Sequence, residues 1–192
     1  MSEPFIGWQT IYGVDGEHAT PYLTRGWIGR LRLHIFHRGD NDPDPHDHPW
    51  DFWTFPLTSY VEEVAKPVTK GVAPLELLLL PPEKYTLSLQ VVRAFRLHHR
   101  PATYCHRVIG RYAGMGPVGL AFGRPIMLSV TKPQTDTRKI VTLVWRGKGG
   151  RTWGFLRNRD GNWCWTPWRE YVFGRGKNAP CEPPRPAEEP RS

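Results

Sequence analysis

Prolines and glycines interrupt this chain so often that long helices have little room to form. The 192 residues include 20 prolines and 19 glycines, and a proline inside a helix removes a hydrogen bond and clashes with the preceding turn. The stretches between them are rich in aromatic and β-branched side chains, which are typical of strands. The sequence therefore predicts an all-β fold of many short strands, as in a barrel or a sandwich.

The segment from Leu31 to Phe36 shows the clearest strand pattern near the start of the chain. Its apolar residues alternate with Arg32, His34 and Phe36, which predicts a strand with one apolar and one polar-aromatic face. The polar-aromatic face could line a cavity, where Arg32 and His34 would reach a bound molecule, or it could face solvent. The alternating residues Tyr85 to Phe95 predict a second strand.

Composition divides the chain into three parts. Residues 1–24 show no regular pattern and are predicted to form an irregular N-terminal arm. Residues 25–173 contain the strand patterns and most of the large apolar residues, and are predicted to form one folded domain. In residues 174–192 prolines and charges replace apolar side chains, which predicts a disordered tail.

The net charge of +8 raises the question of a nucleic-acid partner. The arginines are scattered along the chain and do not alternate with aromatic residues as in a single-strand binding platform. A basic surface that attracts phosphates is expected, and an anionic or nucleotide-like small molecule is compatible with it. A nucleic-acid partner stays an alternative that the sequence does not favour.

Several features predict a cytoplasmic protein without a membrane segment. No apolar run follows Met1, which argues against a signal peptide. The longest apolar run, Leu77 to Leu80, is far too short to cross a bilayer. The three cysteines are odd in number and share no metal-ligand spacing, which favours a reducing compartment and a buried apolar role for Cys105.

The segment Pro43 to Phe52 carries the strongest signal for chemistry. It contains His46 and His48 at positions i and i+2, and on a strand both side chains would project to the same face. A second segment, Arg93 to Ile109, supplies His98, His99 and His106. Two imidazoles from one strand and a third from elsewhere form a common site for first-row metals.

Together the two segments resemble the cupin superfamily. His46-Asp47-His48-Pro49 is similar to the first cupin motif, and Pro101 to His106 has the spacing of the second, with Thr103 where glycine is usual. The chain also resembles small cupins from bacteria and their phages that carry a His-Asp-His-Pro-Trp-Asp-Phe run and a later Trp-Gly-Phe, present here as Trp153 to Phe155. The resemblance implies a single-domain cupin-type double-stranded β-helix, or jelly-roll barrel, over residues 25–173.

The resemblance also implies the site residues. His46, His48 and His106 would be the metal ligands, and His106 is preferred over His98 because it occupies the motif position. Arg32, His34, Trp50 and Phe52 would be candidate lining residues for a substrate. The interval between the two motifs is longer than in compact cupins, so residues 65–84 would form an insertion that covers the barrel mouth or extends the sheet.

The sequence departs from the cupin pattern at the usual metal-binding glutamate. The corresponding positions hold Phe52 and Trp53, which cannot bind a metal. Asp51 is the nearest carboxylate, and only a β-bulge after Pro49 would turn it toward the histidines. Asp51 and Asp47 are therefore alternative ligands or hydrogen-bond acceptors for the histidine N–H groups, and His98 is an alternative ligand or supporting residue.

Three neutral imidazoles leave a divalent metal with exchangeable positions. This suits Fe(II) binding O2 and substrate together, and it also suits Zn, Mn or Ni acting as a Lewis acid. By analogy with three-histidine cupins, the leading hypothesis is an Fe(II)-dependent dioxygenase, an oxidoreductase acting on a small molecule. The alternatives are a non-oxidative cupin such as a sugar isomerase or epimerase, and a non-catalytic ligand-binding module. A homodimer formed through an edge strand is a further expectation from the family.

Overall fold

A computed structural model describes residues 4–15, 18–68, 85–117 and 131–182. The described chain contains twelve strands, one short α-helix and one 3-10 helix. The strands are β1 (Ile6–Asp15), β2 (His18–Ile28), β3 (Leu31–Phe36), β4 (Phe52–Pro56), β5 (Tyr60–Pro67), β6 (Tyr85–Val92), β7 (His98–Arg100), β8 (His106–Pro117), β9 (Thr131–Asp136), β10 (Ile140–Arg146), β11 (Gly154–Arg159) and β12 (Asn162–Pro167), followed by helix α1 (Trp168–Phe173) and the 3-10 helix Gly176–Asn178.

The strands form two large antiparallel sheets and a hairpin. The first sheet has the order β1-β2-β3-β10-β4-β7, and the second has the order β6-β5-β8-β9. Strands β11 and β12 form the hairpin. His46 makes isolated antiparallel bridges with His106 of β8 and with Phe155 of β11, so the segment around His46 extends the second sheet beyond β8.

The chain crosses repeatedly between the two sheets. From β3 in the first sheet it passes to the His46 segment in the second, returns to β4, and then runs through β5 and β6, back to β7 and again to β8. The first sheet therefore contains β3-β10-β4-β7, and the second contains the His46 segment followed by β8-β5-β6. This interleaving is the jelly-roll arrangement, which confirms the predicted all-β, cupin-type fold.

On β3 of the first sheet, a polar side chain faces the interior and an apolar side chain faces outward. On β3, Arg32 is buried with 2% of its surface exposed, whereas Leu31 is 43% exposed. Because side chains alternate along a strand, Arg32, His34 and Phe36 face the interior, and the leucines face outward. Of the two orientations that the sequence left open, the structure therefore has the polar-aromatic face inside.

Two apolar clusters lie in the interior of the fold. One consists of Tyr60, Val92, Val108 and Ile140, with Phe36 packed against it. The second consists of Ala65, Cys105 and Leu156, joined by Tyr85 and Trp163. Cys105 is a buried free thiol whose pKa burial raises to about 12, in keeping with an apolar role.

The prediction of an irregular arm over residues 1–24 is wrong for most of that segment. β1 and β2 pair along their whole lengths, from Ile6↔Ile28 to Asp15↔His18, with a bulge between Ile11 and Tyr12. Gly7 is a strand residue of β1, and a Cβ at this position would lie 2.1 Å from the ring of Trp27. Close packing, and not a turn, requires glycine at that position.

The predicted disordered tail also begins too early. Cys181 forms a disulfide with Cys164 of β12, and the Arg157 guanidinium donates a hydrogen bond to the Ala179 carbonyl. The two cysteines, which the sequence suggested were reduced, are 17 residues apart, but the fold brings their Cα atoms to 5.6 Å. The ordered unit therefore extends through residue 182, and residues 183–192 lie outside the described part.

Other predictions fall on residues that the structure does not describe. Most of the proposed insertion over residues 65–84 lies there, and only residues 65–68 are described, with Ala65 to Pro67 forming the end of β5. Within the described ranges, no helix is long and apolar enough to cross a membrane.

Candidate metal centre

Backbone pairing places the two predicted histidine segments side by side. The His46 amide donates to the His106 carbonyl at 2.9 Å, and the His106 amide donates to the His46 carbonyl at the same distance. The His48 amide donates to the carbonyl of Ala102, in the turn before β8. Main-chain hydrogen bonds therefore hold the backbone of the two histidine segments side by side.

The side chains of these three histidines converge. One ring nitrogen from each of His46, His48 and His106 lies within 4.8 Å of the others, and in the described part of the chain these residues form the group suited to a metal. The Nε2 atoms of His48 and His106 are 3.0 Å apart. Two nitrogens bound at right angles to one ion at about 2.1 Å would have this separation.

Glu62 fixes the orientation of His106. It lies on β5, is fully buried, and accepts a hydrogen bond from His106 Nδ1 at 2.8 Å. An ionised carboxylate can only accept, so Nδ1 carries the proton and Nε2 directs its lone pair at the other histidines. This carboxylate–imidazole contact is the arrangement that commonly orients a metal-binding histidine.

The charge of Glu62 is held by further donors. Arg100 Nη2 donates to Glu62 Oε1 at 2.7 Å, and the Tyr104 hydroxyl donates to the same oxygen. The Arg100 guanidinium also lies over the Tyr104 ring, 4.3 Å from its centroid. Although burial alone raises the pKa of Glu62, the hydrogen bond and charge of His106 and the charge of Arg100 bring it below its ordinary value. Glu62 is thus a buried anion beside the histidine cluster.

The other two histidines are neutral. Burial, followed by the charge of His106, lowers the pKa of His46 to about 3, and the same two causes lower the pKa of His48 well below its ordinary value. His46 Nδ1 is buried without a hydrogen-bond partner and lies 4.0 Å from the Asp40 carboxylate. Neutral, desolvated imidazoles with a free lone pair are what a divalent metal requires, so the residues present fit such an ion.

Aromatic rings surround the cluster. Trp50 stacks on His48 with ring centroids 5.6 Å apart, and Phe52 meets the same imidazole edge-on at 4.7 Å. Trp153 and Phe155 contact His46 at 5.9 and 5.6 Å. Trp50 and Phe52, which the sequence suggested as lining residues for a substrate, therefore lie beside His48. The four rings give the histidine cluster largely apolar surroundings.

The remaining predicted carboxylates lie near the histidines but face other groups. Asp47 accepts hydrogen bonds from the Gly154 amide at 2.7 Å and from Arg151 at 2.8 Å, and Asp51 accepts one from the Ala102 amide at 2.6 Å. These carboxylates secure the loops around the site, and their hydrogen-bond donors are Gly154, Arg151, Trp165 and Ala102, not histidines. His98 lies on β7 with its Nε2 3.4 Å from the Arg93 carbonyl, outside the three-histidine group.

Arg32 and His34 lie on the inner face of β3. Burial, followed by the charges of Arg25 and Arg32, lowers the pKa of His34 to about 3, and His34 is close enough to His48 to contribute to the lowered pKa of that residue. His34 Nε2 is buried without a hydrogen-bond partner. Two arginines, Arg25 and Arg32, therefore lie close to His34 at this side of the interior.

Glu62 and its partners were not identified from the sequence. Glu62 and Glu63 are adjacent, and strand alternation sends one inward and the other outward. The available signal was the apolar sequence on both sides of the two glutamates, since Tyr60, Val61, Val64 and Ala65 are all buried. A carboxylate at an inward position of a buried strand indicates a specific partner.

Comparisons with known proteins give only remote similarities. No protein-family model and no curated protein matches the chain. Among solved structures it is similar to Fe(II)-HppE with the alternative substrate (S)-1-HPP, with 7% identity and a TM-score of 0.40 over 73% of this chain and 56% of that chain. It is also similar to the capsular polysaccharide assembling protein CapF from Staphylococcus aureus, with 12% identity and a TM-score of 0.34 over 72% of this chain.

A second structure of CapF, in another space group, gives a TM-score of 0.35. This chain spans 28% and 30% of the two CapF chains and 56% of HppE. Similarities at this level do not define what the present chain binds or does.

Proposed function

We propose that this protein is a mononuclear Fe(II)-dependent oxygenase, a dioxygenase-type oxidoreductase that acts on a small molecule. The observation that supports the proposal is the convergence of three imidazoles, two of them with Nε2 atoms 3.0 Å apart, at one position inside the barrel. Three protein ligands leave other coordination positions of a divalent ion available, and Fe(II) with such positions supplies a centre for O2 chemistry.

The residues of the chain would have distinct tasks in this function. His46, His48 and His106 would hold the ion, and Glu62 would keep the Nε2 lone pair of His106 directed at it. The rings of Trp50 and Phe52 would limit the entry of water. The charges of Arg25 and Arg32 near the inner face of β3 favour an anionic or nucleotide-like substrate.

The positions of the carboxylates favour oxidation over proton transfer. An isomerase or epimerase requires a general acid or base that can reach its substrate. Among the described carboxylates beside the histidines, Glu62, Asp47, Asp51 and Asp40 each accept hydrogen bonds from protein groups. Burial, followed by the charge of Glu62, raises the pKa of Tyr104, so its hydroxyl stays protonated.

Anaerobic reconstitution with Fe(II) tests the metal assignment directly. We expect one iron per chain and, on addition of nitric oxide, a high-spin iron–nitrosyl EPR signal, which requires an open coordination position. The His46→Ala and His106→Ala variants should lose both, while His99→Ala, an exposed histidine on β7, should keep both. Iron binding that survives His46→Ala and His106→Ala would contradict the assignment.

Oxygen consumption with pools of small anionic and nucleotide-like compounds tests the reaction class. We expect oxygen uptake that requires both iron in the protein and one particular compound of a pool. Tight binding of zinc, manganese or nickel with no nitrosyl signal would instead favour Lewis-acid chemistry such as isomerisation. A chain that binds none of these metals would be a ligand-binding module.

A further inference from the structure

The outer face of the first sheet is apolar across five strands. Its side chains form three cross-strand rows, each fixed by the strand register. The rows are Ile6-Ile28-Leu31-Trp145-Trp53, Trp8-Gly26-Leu33-Leu143-Phe55 and Thr10-Thr24-Ile35-Val141. None of these positions carries a charged side chain, although the chain as a whole has a net charge of +8.

Large side chains on this outer face are exposed to solvent. The exposed fractions are 62% for Trp8, 52% for Trp145 and 44% for Trp53, and Ile6 and Ile28 are exposed by more than half. With about 250 Å² for each tryptophan, these side chains and Leu31 present roughly 700 Å² of apolar surface. A contiguous patch of this size marks an interaction site in a soluble protein.

The outer face also has a groove beside its protruding rings. The groove has a volume of about 310 Å³ and is lined by Ile6, Trp8, Ile28, Leu31 and their neighbours. Glycine at position 26 lets the Trp8 ring lie directly on the backbone, because a Cβ there would be 2.5 Å from that ring. The outer face therefore offers both a protruding, fixed aromatic ring and an apolar recess.

We propose that the outer face of the first sheet binds a second copy of this chain, forming a two-fold symmetric dimer. The exposed apolar area is close to the ~800 Å² that each partner contributes to an interface of standard size. Absence of charge and enrichment in tryptophan are characteristic of homodimer interfaces more than of transient ones. A face with both a protrusion and a recess can also be complementary to itself, as a two-fold axis requires.

This dimer differs from one formed through an edge strand. In the proposed arrangement the two sheets pack face to face, and the edge strands β1 and β7 make no new ladder. The proposal does not depend on the metal centre, because His46 and His106 belong to the second sheet. Because no charged side chain lies in the rows, added salt should not weaken the dimer, whereas it would weaken binding to nucleic acid.

Sedimentation equilibrium of the full chain at low and high salt, combined with one matched pair of variants, tests the proposal. We expect a mass of about 44 kDa for the wild type, twice the 22.1 kDa of one chain. Leu31→Glu should weaken the dimer at least 100-fold, because the two-fold axis would bring two carboxylates into an apolar interface. Leu87→Glu is the control, since Leu87 is equally exposed, at 44%, but lies on β6 of the second sheet.

Hydroxyl-radical footprinting of the wild type gives a test that needs no variant. Trp8 and Trp145 should become protected as the protein concentration rises, while Phe173, exposed on α1, should react equally at all concentrations. If the protein remains a monomer at high concentration, the proposal is wrong. This holds even if Trp8 and Trp145 are protected at every concentration. A dimer that Leu31→Glu leaves intact, or that Leu87→Glu dissociates instead, would also overturn it.

Discussion

Glu62 shows how a single residue can define the state of the metal centre. It is a diagonal cross-strand neighbour of His106, since Val64 pairs with His106 and Glu62 pairs with Val108. Glu63 points to the opposite face and pairs with Arg107 at 2.7 Å. Two adjacent glutamates of equal charge thus have different tasks, and this difference allows a controlled experiment.

We expect Glu62→Gln to weaken binding of Zn(II) and Co(II) by about 10- to 100-fold, as is common for residues that orient a metal ligand. The amide cannot accept from both His106 and Arg100 as the carboxylate does, and an amide N–H facing Nδ1 would move the imidazole proton to Nε2. Competition with a chromophoric chelator measures the affinity, and the Co(II) absorption spectrum reports the ligand geometry.

Glu63→Gln is the matched control, and it should leave both the affinity and the Co(II) spectrum unchanged. Glu62→Asp, which keeps the charge on a shorter side chain, should recover part of the affinity. Equal losses in Glu62→Gln and Glu63→Gln would indicate a general loss of stability and contradict the orienting role of Glu62.

At the scale of elements, the loop between β3 and β4 is attached to the β11–β12 hairpin through Asp47. This buried carboxylate accepts hydrogen bonds from the Gly154 amide, from Arg151 and, at 3.3 Å, from Trp165 Nε1. Arg151 also donates to the His48 and Ala102 carbonyls, so it joins both histidine segments. The hairpin therefore supports the site from outside the two main sheets.

Asp47→Ala should lower the free energy of unfolding of the metal-free protein by about 3 kcal/mol, because a buried amide and a guanidinium would lose their acceptor. Asp51→Ala serves as the control from the same motif, since Asp51 is exposed and accepts one hydrogen bond, and it should cost about 1 kcal/mol. Urea unfolding measures both values. Equal effects of the two substitutions would contradict the attachment through Asp47.

The sequence predicted those parts of the site that depend on local patterns. His46 and His48 followed from strand alternation and motif spacing, and His106 from its position after the Pro101 turn. Glu62 lies 44 residues from its partner His106, and a register shift between Val61 and Glu62 precedes the contact. Local patterns do not contain such long-range register, and for the same reason the pairing of β1 with β2 was not predicted for residues 1–24.

At the scale of the whole molecule, the first sheet buries several polar side chains in the interior and leaves large apolar side chains exposed on its outer face. Arg32, His34 and Thr142 face the interior, and Leu31 and Trp145 face outward. A monomer gains little stability from this arrangement, because it exposes apolar surface and buries polar groups. The arrangement is consistent with a functional interior and with an outer face that is buried in an assembly.

The buried neutral histidines predict a strong pH dependence of stability. The folded state holds the pKa of His34 and of His46 at about 3, against an ordinary value of 6.5. Below pH 6.5 the unfolded chain therefore binds protons that the folded chain does not, and stability present above that pH is lost as the pH falls toward 3. Each such histidine contributes a slope of up to ~1.4 kcal/mol per pH unit.

Asp40 opposes this trend over part of the range. Burial raises its pKa to about 6 in the folded state, from an ordinary value of 3.8, so between these values the folded state binds the additional proton. Two histidines, His34 and His46, lower the stability as the pH falls, whereas one carboxylate, Asp40, raises it. We therefore expect the metal-free protein to be less stable at pH 5 than at pH 7, in urea unfolding at one protein concentration.

A pair of variants isolates the contribution of His34 to the pH dependence of stability. His34→Gln should unfold with a shallower pH dependence, by up to ~1.4 kcal/mol per pH unit between pH 6 and pH 4, because glutamine does not titrate. His99→Gln changes an exposed histidine at the end of the first sheet and should keep the wild-type slope. If stability were constant or higher at pH 5, or if the two variants had equal slopes, His34 would not be held neutral inside the barrel.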